Sequence, residues 1–355
     1  NLWGSLRRFG KTSSIEGDKL KIYKGDLVFA KRNAYLKRVA IAEFDAVASA
    51  HSLVLRAKSE NVLPEFLPFF LLSETFWEKA IEISVGSLSP TINWSTIAKQ
   101  EFLLPPKEQQ AELAELLWAM DGVIESELAM FNRLKTQLDC NIEFLLHGID
   151  LAGQTIKEVI ASLSKTKGVV KLKDCGVFLK GKGIPKSVLV ESGVPCIRYG
   201  EIYTAHHRII REYHSFISPA ECANSIRLKK NDVIFAGSGE TITEIGKSAV
   251  YVGDDEVYAG SDTLIFRPEG MDGLYLGYLM NSVFVRQQLN MYGTGATVMH
   301  IYLDDLKKIV IPIHSFEEQK AIGKELELIW TSIHNVLASI SKAKALQKSL
   351  INEIF

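Results

Sequence analysis

Residues 315–355 read SFEEQKAIGKELELIWTSIHNVLASISKAKALQKSLINEIF, and the periodicity of this stretch decides the fold. Apolar residues recur at Ile322, Leu326, Ile329, Ile333, Val336, Ile340, Ala343, Leu350 and Ile354, with Gln347 as a polar exception. The steps alternate between four and three. That is the narrow a/d seam of a coiled-coil helix rather than the wider stripe of a helix lying on a core. The stretch contains no proline, and Ser315 followed by Glu318 predicts a capping box at its start.

The same pattern occurs 209 residues earlier, at Leu113, Leu117, Met120, Ile124, Phe131, Leu134, Leu138 and Leu145. Its polar positions, Glu127 and Asn141, each stand beside an apolar neighbour, Leu128 and Ile142. Glu108-Gln109-Gln110 corresponds to Glu317-Glu318-Gln319. Each triplet follows a proline-bearing apolar stretch, Phe102–Pro106 or Ile309–Ile313, that we read as a strand. Pro105-Pro106 suits a helix start, and His147-Gly148 suits a helix stop.

Upstream segments repeat as well. Lys24–Ala30 parallels Lys230–Ala236, Ser52–Arg56 parallels Thr263–Arg267, and Gly86–Ile97 parallels Gly295–Leu306. A duplicated chain follows. The expected fold is α+β: two strand-rich globules separated by two long helices that form an antiparallel coiled coil, with a pseudo-two-fold internal repeat. The boundaries are 1–105 for the first globule, 106–148 for the first helix, 149–314 for the second globule and 315–355 for the second helix. A helix of that length extends ~60 Å at 1.5 Å per residue. Globules held that far apart match one and a half to two turns of duplex, at ~34 Å per turn.

Composition agrees with a soluble protein of about two domains. The chain has 355 residues, 47% hydrophobic and 23% charged. No apolar run approaches the ~18 residues of a membrane span, and no signal peptide is expected. Because the chain opens on Asn1 rather than Met, we expect the natural N-terminus to lie upstream. Cys140, Cys175, Cys196 and Cys222 show no paired spacing, which argues against a disulfide scaffold or a zinc site and for buried free thiols.

The net charge is −1, yet its distribution is uneven. Residues 1–38 hold ten Lys/Arg against three acidic residues, and residues 165–247 hold fourteen against eight. Residues 107–149 reverse the balance, three against eight.

The ordered set of motifs resembles the DNA-specificity (S) subunit of type I restriction–modification systems, over essentially the whole chain. Its carriers are Pro105 to Gln110 with the degenerate copy Pro312 to Gln319, and Gly25-Asp26-Leu27-Val28-Phe29 followed by Arg32-Asn33-Ala34-Tyr35-Leu36-Lys37-Arg38. The second half adds Gly183-Ile184-Pro185-Lys186, Ile197-Arg198-Tyr199-Gly200-Glu201 and Gly237-Ser238-Gly239-Glu240-Thr241 through Ile245-Gly246-Lys247. The resemblance implies two target-recognition domains, each reading half of an asymmetric bipartite site in double-stranded DNA. It implies a chain without a catalytic centre or cofactor of its own, located in a prokaryotic cytosol. Its partners would be two adenine-N6 methyltransferase subunits using S-adenosylmethionine, and restriction (translocase) subunits using ATP and Mg²⁺. One departure is visible: the segment matching Lys171 to Glu221 is largely absent from the first half.

Phosphates are held by Lys and Arg, and base edges are read by bidentate or polar side chains. In the first globule we expect DNA contacts from Arg7, Arg8, Lys11, Lys31, Arg32, Asn33, Tyr35, Lys37 and Arg38. In the second we expect them from Lys180, Lys182, Lys186, Arg198, Tyr199, Ser238, Glu240, Thr241 and Lys247. Gly181-Lys182-Gly183 and Gly237-Ser238-Gly239 offer backbone amides to phosphate. His206, His207 and His214 lack the partners of a metal site and read as a surface loop.

No Asn-Pro-Pro-aromatic signature of an adenine-N6 methyltransferase, no HExxH or GxSxG motif, no nucleotide-binding P-loop and no dinucleotide-fold glycine motif occurs, while the plentiful Asp and Glu leave a nuclease centre open. Three alternatives stay open at this point: a specificity subunit whose methylation and cleavage activities lie in one fused partner, a stand-alone DNA-modifying enzyme, and a protein-binding coiled-coil adaptor.

Overall fold

The structure is a computed structural model that describes residues 20–148, 153–295 and 298–355. It divides into two compact units. One comprises the chain up to Asn132 together with His334–Phe355, and the other comprises Arg133–Ile333. Each unit is therefore one globule plus part of each long helix, and each is taken by itself below.

In the first unit, strand Leu27–Ala30 runs between Val39–Ile41 and Ser52–Leu55, antiparallel to both. A two-stranded ribbon, Lys21–Ile22 with Ala46–Val47, flanks this sheet. Helix Glu74–Glu82 covers it, capped by Ser73, whose side chain accepts the Phe76 N–H. The core is largely aromatic. Phe29 stacks on Trp77 with ring centroids 5.2 Å apart, and Phe70, Phe76, Phe102 and Phe355 close around them.

Phe102–Pro106, expected as a strand, is not one, and no strand among the described residues pairs with it. Its counterpart Val310–Pro312 is a strand because Val169–Lys171 pairs with it. Phe102 and Leu104 are held instead by packing on the aromatic core.

The second unit repeats this sheet and enlarges it. Val233–Ala236 lies between Ser248–Tyr251 and Thr263–Pro268, with Arg208–Ile210 and Gly176–Lys180 added at the edges. The register is conserved between halves: Phe29 faces Val39 and Leu53, and Phe235 faces Ser248 and Leu264. A further five-stranded sheet is built mainly from the segment that the first half lacks; it comprises Leu189–Val190, Val194–Ile197, Ser215–Ile217, Ile226–Arg227 and Tyr258–Ala259.

Buried polar groups repeat as faithfully as the strands. Asp26 accepts the Tyr23 N–H and the Arg56 guanidinium, and Asp232 accepts the Lys229 N–H and the Arg267 guanidinium. The Arg56 hydrogen bond holds the Asp26 carboxyl below the usual carboxylate range against the opposing effect of burial. Gln110 accepts the Leu63 N–H (2.9 Å) and donates to the Pro105 carbonyl (2.9 Å). Gln319 does the same with Asp272 (3.0 Å) and His314 (2.9 Å), all 209 positions on. The last glutamine of each triplet thus ties the start of its helix to its globule.

The long helices are Lys107–His147 and Phe316–Ile354. Ser315 and Glu318 form the reciprocal capping bonds, and Gly148, at φ 70°, donates its N–H to the Phe144 carbonyl (2.7 Å). Along the seam, Leu117, Ile124 and Leu326 are fully buried, and Leu138, Ile333 and Ile340 nearly so. Leu113, Met120, Phe131, Ile322, Ile329 and Leu350 are half-buried.

Within the first unit Gln347 donates to the Leu117 carbonyl (3.0 Å) and Ser339 to the Glu127 carboxylate. Advancing along one helix means retreating along the other, so the segments run antiparallel there. The polar exceptions at Gln347 and Glu127 are thereby placed. In the second unit Glu327 accepts the Arg211 guanidinium (2.6 Å) and the Tyr278 hydroxyl (2.9 Å). The corresponding positions of the first unit, Phe69 and Trp118, make an aromatic contact (4.9 Å).

Among the described residues no helix is long and apolar enough to cross a membrane. The cysteines are free, but only Cys196 is buried and Cys140 is exposed on the outward face of the first long helix, which corrects the expectation of buried thiols throughout. Burial raises the Cys196 thiol to about 12.

Candidate nucleic-acid interface

Part of each residue cluster singled out from sequence, Lys31–Arg38 in the first unit and Ser238–Lys247 in the second, occupies the same loop in the two halves. In the first unit the loop Lys31–Arg38 joins Leu27–Ala30 to Val39–Ile41, and the Ala30 N–H closes it on the Arg38 carbonyl (3.0 Å). In the second unit Gly237–Lys247 joins Val233–Ala236 to Ser248–Tyr251, closed by the Ala236 N–H on the Lys247 carbonyl (2.9 Å). The second loop is three residues longer.

Local chemistry shapes the first loop. Asn33 and Lys37 adopt left-handed backbone, φ 55° and 46°, around a single turn Ala34–Leu36. Asparagine tolerates that region well. Ala34 is buried, which turns Tyr35 and Leu36 outward. Arg38 donates to the Arg32 carbonyl (3.5 Å), and the Arg32 guanidinium lies 3.5 Å from the His51 ring nitrogen. Lys31 is half-buried at the base of the loop.

Lys37 differs from its neighbours, because its ammonium is engaged by Glu74. Glu74 also meets Lys348 (3.1 Å), and the two lysines, Lys37 first, hold its carboxyl below the usual range. Arg7, Arg8 and Lys11 lie outside the described residues.

A second structural loop adjoins each of these. Val85–Thr91 is a small hairpin, and its Ser89 hydroxyl donates to Asn33 (2.7 Å). In the second unit Met299–His300 pairs with Ser238–Gly239, and Ser238 Oγ lies 3.1 Å from His300 Nδ1. Sequence reading did not assign these hairpins to the interface, although the match of Gly86–Ile97 with Gly295–Leu306 was the available signal.

The second loop is braced from below. Ile245 is fully buried, the Tyr203 hydroxyl donates to the Ser238 carbonyl (3.0 Å), and Arg286 donates to the Thr243 carbonyl (2.8 Å). Lys247 lies over the Tyr203 ring at 5.9 Å. Glu240 and Thr241 remain exposed at the tip. Tyr203 and Arg286 carried no sequence signal, since each acts on a loop distant in the chain.

The remaining candidates meet near this loop's base. Gly181 donates to Thr263, Ser261 to Gly183, Gly260 to Ile197 and Gly237 to Asp262, each through backbone bonds of 2.8–3.0 Å. Lys180, Lys182 and Arg198 therefore flank one turn, Gly260–Thr263, which also holds Gly237. Tyr199 is exposed at the start of helix Tyr199–Thr204, and Lys186 is exposed on the turn Lys186–Val188.

Two expectations are corrected by these bonds. In the glycine pairs, the Gly181 and Gly237 amides are not open to phosphate, because Thr263 and Asp262 already use them. A side chain at Gly181 would collide with the Gly260 carbonyl, and one at Gly239 would press on the Tyr203 hydroxyl. His206 is not on a surface loop: it is buried beside Glu201 (3.6 Å), whose carboxylate also accepts the Ser215 hydroxyl. Among the described residues no cluster of His, Cys, Asp or Glu has the makings of a metal site.

Known proteins share this layout. The chain is 25% identical over 305 residues to the type I restriction enzyme MjaVIII specificity subunit of Methanocaldococcus jannaschii, covering 82% of this chain and 69% of that one. Its fold is similar to the S subunit of a type I restriction–modification system from M. genitalium, with a TM-score of 0.62 at 13% identity over 99% of this chain and 87% of that one. It is also similar to a chain in a structure that addresses assembly and conformational transition of the type I R-M system (TM-score 0.59, 19% identity, 94% and 82% covered). Residues 9–135 and 164–339, one stretch in each half, match the domain family described as type I restriction modification DNA specificity domain, and the chain belongs to that family.

Proposed function

We propose that this chain is the DNA-reading subunit of a type I restriction–modification complex. Each globule reads one half of a bipartite duplex target, and the chain positions methyltransferase and restriction subunits on it. One observation carries this reading. A single loop, closed by the same hydrogen bond in both halves, bears two unlike sets of polar and basic residues. A duplicated scaffold with divergent loops suits two half-sites of different sequence, since phosphate contacts position a protein while base contacts specify.

Lys31, Arg32 and Arg38 act on the backbone of the first half-site, with Asn33 and Tyr35 toward the bases. In the second half-site Lys180, Lys182, Lys186, Arg198 and Lys247 take phosphates, and Tyr199, Ser238, Glu240 and Thr241 face base edges. A carboxylate such as Glu240 accepts from a cytosine amino group. The chemistry belongs to the partners: S-adenosylmethionine in two methyltransferase subunits, and ATP with Mg²⁺ in the restriction subunits.

Methylome sequencing of cells with and without this chain tests the proposal. The expected result is a bipartite methyladenine motif present only with the chain. Substituting loop residues of one half should then alter only one half of that motif. A methylome unchanged by deleting the chain overturns the reading.

A further inference from the structure

Hairpin Val85–Thr91 carries no charged residue, yet it is joined to the basic loop Lys31–Arg38. Val85 and Thr91 exchange both backbone hydrogen bonds (3.0 and 2.9 Å), and Gly86, at φ 109°, makes the turn possible. Three links fasten the hairpin to the loop. Ser89 donates to Asn33 (2.7 Å), the Ala34 N–H donates to the Pro90 carbonyl (3.2 Å), and Arg32 pairs with Thr91. Ile92, fully buried, donates its N–H to the Lys31 carbonyl (2.8 Å) and anchors the base.

Leu88 stands at the tip and is 95% exposed. A solitary exposed leucine needs no explanation. This one stands on a turn fastened to the loop that carries Lys31, Arg32 and Arg38, so it belongs to a surface that draws in a polyanion. An exposed apolar side chain on a turn tied to a basic loop fits the base stack of a duplex better than a protein groove, which has no use for the neighbouring charge. Little conformational freedom is lost when a preorganised tip inserts.

We propose that Leu88 is a wedge that enters between two adjacent base pairs of the half-site bound by the first globule, unstacking that step and kinking the duplex. The proposal rests on the reading of loop Lys31–Arg38 as a DNA contact. It adds a specificity determinant: the step beneath Leu88 is selected for ease of unstacking, which favours pyrimidine–purine steps such as TA or CA. That selection operates without a hydrogen bond to either base.

The test uses the full chain and the duplex sequence that the wild-type chain itself enriches from a random pool. 2-Aminopurine is placed in turn at each step of each half-site. Binding should raise fluorescence at one step of one half-site. Leu88→Ala should abolish the rise and weaken binding about tenfold on the intact duplex, a change of about 1.4 kcal/mol. It should bind nearly as tightly as wild type when that step carries an abasic site, because the unstacking is then already done. Leu88→Phe should keep the signal. An exposed leucine contributes nothing to the core, so Leu88→Ala folds normally. Equal affinity and equal fluorescence for wild type and Leu88→Ala overturn the wedge, and leave Leu88 as a contact for a protein partner. Failure of the wild-type chain to enrich any sequence overturns the DNA reading itself.

Discussion

The salt dependence of binding isolates what the first loop contributes. Among the described residues Lys31, Arg32 and Arg38 form no ion pair with a carboxylate, whereas Lys37 is held by Glu74. Each phosphate neutralised contributes about 0.9 to the slope of log K against log salt. Replacing all three residues by Gln should therefore flatten that slope by about 2.7. Between 50 and 200 mM salt the wild-type chain should lose about 40-fold more affinity than the triple variant. Anisotropy titrations of a labelled duplex at several salt concentrations measure this directly, and they require no knowledge of the target. Arg32 and Arg38 are exposed and Lys31 is half-buried at the loop's base, so the fold should stay intact, with circular dichroism unchanged as its check. Lys307→Gln, at an ammonium already paired with Asp304 (2.8 Å), serves as a single-charge control. A triple-variant slope within about 0.5 of wild type would refute the assignment of this loop to phosphate contact.

Other outcomes follow from individual contacts. Glu74→Gln frees the Lys37 ammonium and should steepen the same slope by up to about 0.9, the mirror image of the triple variant; an unchanged slope means that Lys37 does not reach phosphate even when released. Arg267→Ala leaves the fully buried Asp232 without its cation and should lower stability by about 3 kcal/mol, read as a fall in the urea midpoint. Arg56→Ala should cost less, because that guanidinium is more than half exposed. A larger loss at Arg56 than at Arg267 would contradict this ordering.

Burial pushes the His147 imidazole down to about 3, with His314 and Lys167 adding to the effect. The unfolded chain takes up this proton near pH 6.5 and the folded chain refuses it. Stability should thus fall as pH drops below 6.5, by about 1.4 kcal/mol per unit down toward pH 3. His314, lowered to about 4, acts in the same direction. His147→Leu should flatten the dependence by about that slope between pH 6 and 4, and urea midpoints across that range measure it; parallel curves for variant and wild type would place His147 in water.

Periodicity and repetition are properties of the chain itself, and they carry far. A seam in steps of four and three can be satisfied only by a long helix with an apolar partner, so Ile322 to Ile354 and its earlier copy declare both helices and their pairing. The duplicated segments around Asp26 and Asp232 declare two related globules, because a buried carboxylate demands the same arginine partner in each. The residue types in the two loops made them candidates for nucleic-acid contact, though they did not say which side chains stand exposed.

Tertiary structure decided which of those groups are at liberty. Lys37 reads like Arg32 in sequence, yet Glu74, brought up by a helix that starts well downstream, has taken it. The Gly181 and Gly237 amides look available until the Gly260–Thr263 turn occupies them. Phe102–Pro106 has the composition of a strand and, among the described residues, no strand pairs with it. Tyr203, Arg286 and Ser89 brace their loops from remote positions, and Leu88 gains its place only through bonds to Asn33 and Ala34. Local sequence fixes period and residue type, which depend on neighbours along the chain. Whether a charge is free, an amide is spent or a leucine is presented depends on atoms that only folding brings within hydrogen-bond reach.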